Sequence, residues 1–158
     1  MLVVDSDLAV AWLFAGSHKV SESLAPIGFA EAKRIHERII LPFVCVPELF
    51  RVARWLADDF LDPEFRQDYL DESMNNIQVW LTSFYEVYHA TSLESRSWLT
   101  MATNPLLPQH VTDAHCWVAV IHSRLNVMNP GNVYLGSIER SVYCDMQEGG
   151  FLMPECLL

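Results

Sequence analysis

The chain predicts an α/β fold, a three-layer α/β/α sandwich around a central parallel sheet of four to five strands. Three observations carry this. The chain opens on a short apolar run, Leu2-Val3-Val4, closed by Asp5, the pattern of a buried strand ending at the rim of a sheet. Short apolar runs of that kind then alternate with stretches whose apolar residues recur every three to four positions, an order that builds a parallel sheet with helices on both faces. No stretch is long enough to act as a linker, so the 158 residues read as one domain with room for a sizeable core.

Taken in order, Asp7 to Phe14 continues apolar behind the first strand and turns into a short helix closing near Gly16. Ser21 or Ser23 caps a second helix running to about Arg38, with Leu24, Ile27 and Ile35 inward and Glu31, Lys33, Arg34 and Glu37 wet. Ile39-Ile40-Leu41 and Phe43-Val44-Cys45-Val46 read as a second strand interrupted at Pro42. Pro47 opens the next helix, at a position where its missing N–H costs nothing. Leu49, Val52, Ala53, Leu56 and Phe60 then fall at helical spacing, with Arg51, Arg54 and Asp58 opposite.

Pro63 begins a helix with Leu70, Met74, Ile77 and Leu81 at steps of three and four, and Phe84 to Tyr88 alternates like a strand. Thr91 or Ser92 caps a helix through Leu99 and Met101, broken by the stretch from Pro105 to Pro108. Asp113 to Arg124 is nearly all apolar, with Ala114, Trp117, Val118, Ile121 and Leu125 on one face, so this helix is buried on most sides. Asn129 to Asn132 is a turn, Val133-Tyr134-Leu135 a brief strand, Ser137 to Glu139 a helix start, and Phe151 to Pro154 a last edge strand.

Composition narrows the function. Half the chain is apolar (51%) and 19% is charged, which excludes a disordered chain. No apolar run reaches membrane-spanning length and no basic region precedes the first one, so a cytoplasmic protein is the expectation. The four cysteines, Cys45, Cys116, Cys144 and Cys156, form no C-x-x-C pair, which argues against structural zinc. A net charge of −10 excludes a protein that holds nucleic acid by general electrostatic attraction, though not one that meets it through bound metal and a few arginines.

The informative pattern is acidic. Asp5, Glu48, Asp113 and Glu139 each lie where a strand ends or a helix begins. In a parallel sheet such boundaries gather on the carboxyl edge, where ligands bind. Two unit charges about 5 Å apart at an effective dielectric of about 20 repel by roughly 3 kcal/mol, so a cluster of carboxylates calls for a divalent metal or a shared proton. Hard oxygen ligands suit Mg²⁺ or Mn²⁺.

On these residues the chain resembles a family. The stretches "VVDSDLAVAWL", "VPELFRVARWL" and "TDAHCWVAVIHSRL" are similar to the first three acidic motifs of PIN-domain ribonucleases, above all the VapC-type toxins of bacterial toxin–antitoxin pairs. The resemblance implies a metal-dependent endoribonuclease that hydrolyses RNA phosphodiesters with Mg²⁺ or Mn²⁺ held by Asp5, Glu48, Asp113 and Glu139. It places Ser6 where the family often has a small hydroxyl residue. The supporting positions are then Ser6, Asp7 and Ser137. The resemblance further implies a homodimer and an antitoxin whose tail carries an Arg or Lys to the acids. The fourth motif departs from the family, with Ser137-x-Glu139 standing for Thr-x-Asp.

Other readings stand beside this one. Asp5 also reads as a strand end in a turn, Glu48 as an acid favoured by the helix dipole, Asp113 as an N-cap competing with Thr112, and Ser137 as a cap with Glu139 in its first turn. His115 and His122 read as polar-edge residues rather than a metal pair, Arg51 and Arg54 as a solvated face, and the five tryptophans as core or dimer surface. Asp5-Ser6-Asp7 also resembles the opening of haloacid-dehalogenase-type phosphatases, but Lys19 and Lys33 lie too early for the lysine that chemistry needs. The alternative function is a catalytically degenerate PIN-like module that binds a protein partner.

Overall fold

A computed structural model describes residues 1–17, 19–20, 25–152 and 157–158. Strand β1 (Leu2–Val4) leads at once into α1 (Ser6–Leu13), followed by α2 (Phe29–Ile35) and β2 (Ile39–Pro42). A 3-10 turn (Phe43–Cys45) runs straight into α3 (Val46–Ala57), then α4 (Pro63–Leu81), β3 (Glu86–Tyr88), α5 (Ser92–Ala102), α6 (Asp113–Met128), β4 (Tyr134–Gly136) and α7 (Arg140–Glu148). The sheet has the order β3-β2-β1-β4 and every pairing is parallel. A single parallel bridge from Leu135 to Leu157 adds a trace of a fifth strand beyond β4. The fold is the three-layer α/β/α sandwich that the alternating pattern predicts.

The core follows from the same pattern. Leu2, Val3 and Val4 in β1 and Ile40 and Leu41 in β2 are all but fully buried, as strands covered on both faces require. On α3, Val46, Leu49, Val52, Ala53, Leu56 and Ala57 turn inward while Arg51 and Arg54 stay in water. Helix α1 packs on α3, α3 on α4, and α6 on both α5 and the β1–β2 pair. Gly136 allows β4 to lie close beneath α1, since a Cβ there would come within 2.8 Å of Leu8 Cδ2. Among the described residues no helix is long and apolar enough to cross a membrane.

Several local expectations are corrected. Phe43–Val46 is not strand: β2 loses its partner where Pro42 pairs with Tyr88, the last residue of β3, and Val46 instead joins the inner face of α3. A short apolar run has no periodicity to separate the two outcomes. The second helix spans Phe29–Ile35 and buries Ala32, with Phe29 packed on Trp12, Trp80 and Phe84 at 5.1–5.8 Å; Ile35, at its end, is 52% exposed. Its expected caps, Ser21 and Ser23, and Leu24 lie outside the described residues. Phe60 falls beyond the end of α3. Phe151 and Leu152 form a bend rather than a strand, and the rest of that expected strand lies outside the described residues.

His122 is no edge residue. It is completely buried, and its Nε2 donates to the Val133 carbonyl at 2.9 Å, the one role open to a ring nitrogen facing a carbonyl. A helix enclosed on most sides leaves its polar residue only backbone to bond, and burial holds this imidazole below its ordinary pKa.

Candidate functional site

Parallel pairing places the ends of β1, β2 and β4 on one edge of the sheet. Val4 stands opposite Gly136, and Val3 opposite Ile40, so Asp5, Ser137 and the approach to α3 emerge side by side. The Asp5 amide is tied to the Gly136 carbonyl at 2.9 Å, which locks the two strand ends together. Beyond this edge lies a cleft of about 460 Å³ whose polar lining includes Asp5, Ser6, Asp7, Glu48, His115 and Glu139. Val10, Val52, Lys19 and Trp55 line it as well.

Asp5 is the N-cap of α1 and only 2% exposed. Its Oδ1 accepts from the Ser6 amide at 2.6 Å and its Oδ2 from the Tyr143 hydroxyl at 2.6 Å. Among the described residues no lysine or arginine forms an ion pair with it. Burial, followed by the nearby Asp7 charge, pushes its pKa up to about 6, against the pull of the Tyr143 and Ser6 hydrogen bonds. Cys45 faces the same carboxylate at 3.9 Å, and burial holds its thiol well above the ordinary value.

Asp7 has a different task. Its Oδ2 accepts from the Ser137 hydroxyl at 2.8 Å, the Ile138 amide at 2.9 Å and the Glu139 amide at 2.7 Å. Its Oδ1 accepts from the Leu8 amide at 2.5 Å. One carboxylate thus fastens the loop after β4 to the start of α1, and so sets where Glu139 enters the cleft. Ser137, 1% exposed, takes part in the same knot and accepts from the Glu139 amide at 3.0 Å.

Glu48 and Glu139 reach the cleft from opposite sides, each leaning on a neighbour. Glu48 forms a two-pronged ion pair with Arg51, and Glu139 lies 3.3 Å from Nε2 of His115. Asp113 is exposed at the first position of α6 and does not line the cleft. The reason is helical geometry: residues two apart point nearly opposite ways, and His115 takes the inward direction.

His115 is the site residue that motif reading passed over. Its Nδ1 accepts from the Thr112 amide at 3.1 Å, and because an amide can only donate, the tautomer carries its hydrogen on Nε2, toward Glu139. Its ring meets Tyr143 edge-on at 5.5 Å, joining Glu139, His115, Tyr143 and Asp5 into one wall. A signal was available in the sequence: Thr112-x-x-His115 has the spacing of a capping box, which turns the third helical residue back over the helix start.

The donor chemistry fits a hard divalent cation, since four carboxylates line the cleft and the most buried of them, Asp5, forms no ion pair with a lysine or arginine among the described residues. The ligand shell is not assembled: among the described residues no three His, Cys, Asp or Glu side chains come together closely enough to hold an ion. To ligate an ion, Glu48 would have to leave the solvent-exposed Arg51 and Glu139 would have to turn from the Nε2–H of His115. No protein-family model, curated protein or solved structure matches the chain.

Proposed function

We propose that this protein is a metal-dependent endoribonuclease of the PIN type, acting as the toxin of a toxin–antitoxin pair. The observation that carries the reading is convergence: Asp5, Asp7, Glu48 and Glu139, from three stretches spread over more than 130 positions, line one cleft at the carboxyl edge of a parallel sheet. Asp5, Glu48 and Glu139 stand at the first, second and fourth of the acidic motifs that the sequence resembles, while Asp113 of the third lies off the cleft.

In this reading Asp5, Glu48 and Glu139 hold Mg²⁺ or Mn²⁺, which supplies a water of lowered pKa and offsets charge on a phosphoryl oxygen. The protein's own groups do the positioning. Tyr143 and the Ser6 amide hold the Asp5 carboxylate in one orientation. Asp7 and Ser137 fix the loop that carries Glu139. His115 presents its Nε2–H at the cleft wall, where it can donate to a phosphoryl oxygen. With a net charge of −10, the chain draws RNA affinity from contacts local to the cleft. An antitoxin with an arginine or lysine in its tail fits the same acids, and a cytoplasmic homodimer completes the reading.

A second reading has its own observation. Asp7 is fully occupied as a structural acceptor, Glu48 and Glu139 are paired within the protein, and Asp113 stands off the cleft. These features suit a PIN-like module whose acidic groove now receives a cationic protein segment.

Mn²⁺ separates the two. In the nuclease reading, Mn²⁺ at ten times its dissociation constant stabilises the fold by about 1.4 kcal/mol, raising the melting temperature by roughly 3–6 °C. Cleavage of a single-stranded RNA then appears with Mn²⁺ and disappears with EDTA. An unchanged melting temperature together with intact RNA leaves the binding module standing.

A further inference from the structure

Trp55 is 47% exposed on a helix whose other large apolar residues turn inward. Glu48, Val52 and Trp55 lie at i, i+4 and i+7, so they form one stripe along α3. That stripe borders the acidic cleft and also a second cleft of about 440 Å³, where among the described residues Arg51 joins the lining. The indole is therefore the ridge between two adjoining hollows. The Lys19 ammonium stands over its ring, 4.7 Å from the centroid, and is kept there by an ion pair with Asp59. One face of the ring thus carries a cation, while the residue as a whole stays 47% exposed.

We infer that Trp55 is a base-stacking platform and that the ligand crossing this ridge is a single-stranded polynucleotide. The inference rests on the nuclease reading of the adjoining cleft. An exposed aromatic face beside Arg51, which Glu48 releases when it turns toward a metal in the adjoining cleft, matches an unpaired base with a phosphate next to it. The strand then continues past Val52 and Glu48 to the carboxylates, which places the nucleotide on Trp55 next to the phosphodiester in the acidic cleft. A duplex keeps its bases stacked on one another and has no free face to offer. A basic peptide suits the acids but meets the released Arg51 at the ridge and gains nothing from a base-sized aromatic face.

The test uses a fluorescein-labelled single-stranded RNA of mixed sequence without self-pairing, and its blunt duplex. Binding is read by anisotropy in Ca²⁺, and cleavage in Mn²⁺ is read separately on gels. The single strand binds more tightly than the duplex to the unmodified protein. Trp55→Ala weakens single-strand binding by about 5- to 100-fold, the range for losing one stacked base, while duplex binding stays put. Trp55→Phe restores most of the affinity, which a merely folded-state effect of the alanine would not explain, and melting curves of both variants confirm the fold.

Equal affinity of Trp55→Ala and the unmodified protein overturns the inference, as does equal affinity for strand and duplex. If cleavage persists in that case, the nuclease reading survives without the platform. If stacking-dependent binding is present and Mn²⁺-dependent cleavage is absent, the platform stands and the nuclease reading falls. Binding of an oligo-arginine peptide that depends on Trp55, with neither RNA bound, assigns the ridge to a cationic protein segment and also overturns the inference.

Discussion

Asp7→Ala destabilises the fold by about 3–5 kcal/mol and lowers the melting temperature by roughly 6–20 °C. The expectation follows from what one oxygen does. Asp7 Oδ2 accepts three hydrogen bonds from the loop at Ser137, Ile138 and Glu139, and Oδ1 accepts a fourth from Leu8. Hydrogen bonds to a charged acceptor contribute about 1.5–3 kcal/mol each, discounted here because the Glu139 amide reaches water. Ser137, 1% exposed, is left with its hydroxyl short of an acceptor. Part of the loss is offset, because the Asp7 charge also raises the cost of ionising Asp5.

Asp7→Asn keeps an oxygen for the three loop donors but turns an amide toward the Leu8 N–H, so its loss is smaller, about 1–2 kcal/mol. Thermal unfolding followed by far-UV circular dichroism reads both. A loss below about 1 kcal/mol for the alanine would mean that the loop holds its place without this carboxylate.

Asp5→Asn works in the opposite direction: the protein becomes more stable, and on the nuclease reading it no longer cleaves RNA. The carboxyl titrates near 6 when folded against an ordinary value of 3.8, chiefly because it is buried. With the folded value raised, the stability the group lends is fully present below 3.8 and is lost as pH rises through about 6. At neutral pH the ionised, buried Asp5 therefore costs roughly 3 kcal/mol relative to its protonated form.

Asparagine keeps the shape without the charge. It accepts from the Ser6 amide, and the Tyr143 hydroxyl rotates to accept from the new N–H₂. A gain of about 1–3 kcal/mol at pH 7.5 in EDTA is expected, shrinking to about a third near pH 4.5, where the folded wild-type carboxyl is already protonated. Mn²⁺ then raises the melting temperature of the wild type and not of the variant. If the nuclease reading holds, Mn²⁺-dependent RNA cleavage falls by at least about 100-fold, the scale of a lost transition-state stabiliser. A variant no more stable than the wild type at pH 7.5 would show that burial does not strain this carboxylate.

Much of the architecture was legible in the residues. The run Leu2-Val3-Val4 read as a buried strand from its β-branched residues and from Asp5 closing it, an acid that Phe43–Val46 lacks. Helices α3, α4, α5 and α6 announced themselves through periodicity and through their starts at Pro47, Pro63, Thr91 and Thr112. Phe43–Val46 misled because four apolar residues fit either period. The acids at Asp5, Glu48 and Glu139 were legible for a related reason: they close or follow strands of a sheet whose strands all run one way, so they share an edge.

The sequence by itself determined the sheet, its direction and three of the four acids expected at its carboxyl edge, Asp5, Glu48 and Glu139 but not Asp113, because alternation and periodicity are local properties written along the chain. Only the tertiary structure decided what each acid does there. Asp7 is tied to residues some 130 positions away, His115 rather than Asp113 faces the cleft, and Tyr143 caps a carboxylate at the far end of the chain. The difference is physical: a side chain's role is set by the donors that folding brings within about 3 Å, and no spacing along the chain encodes that distance.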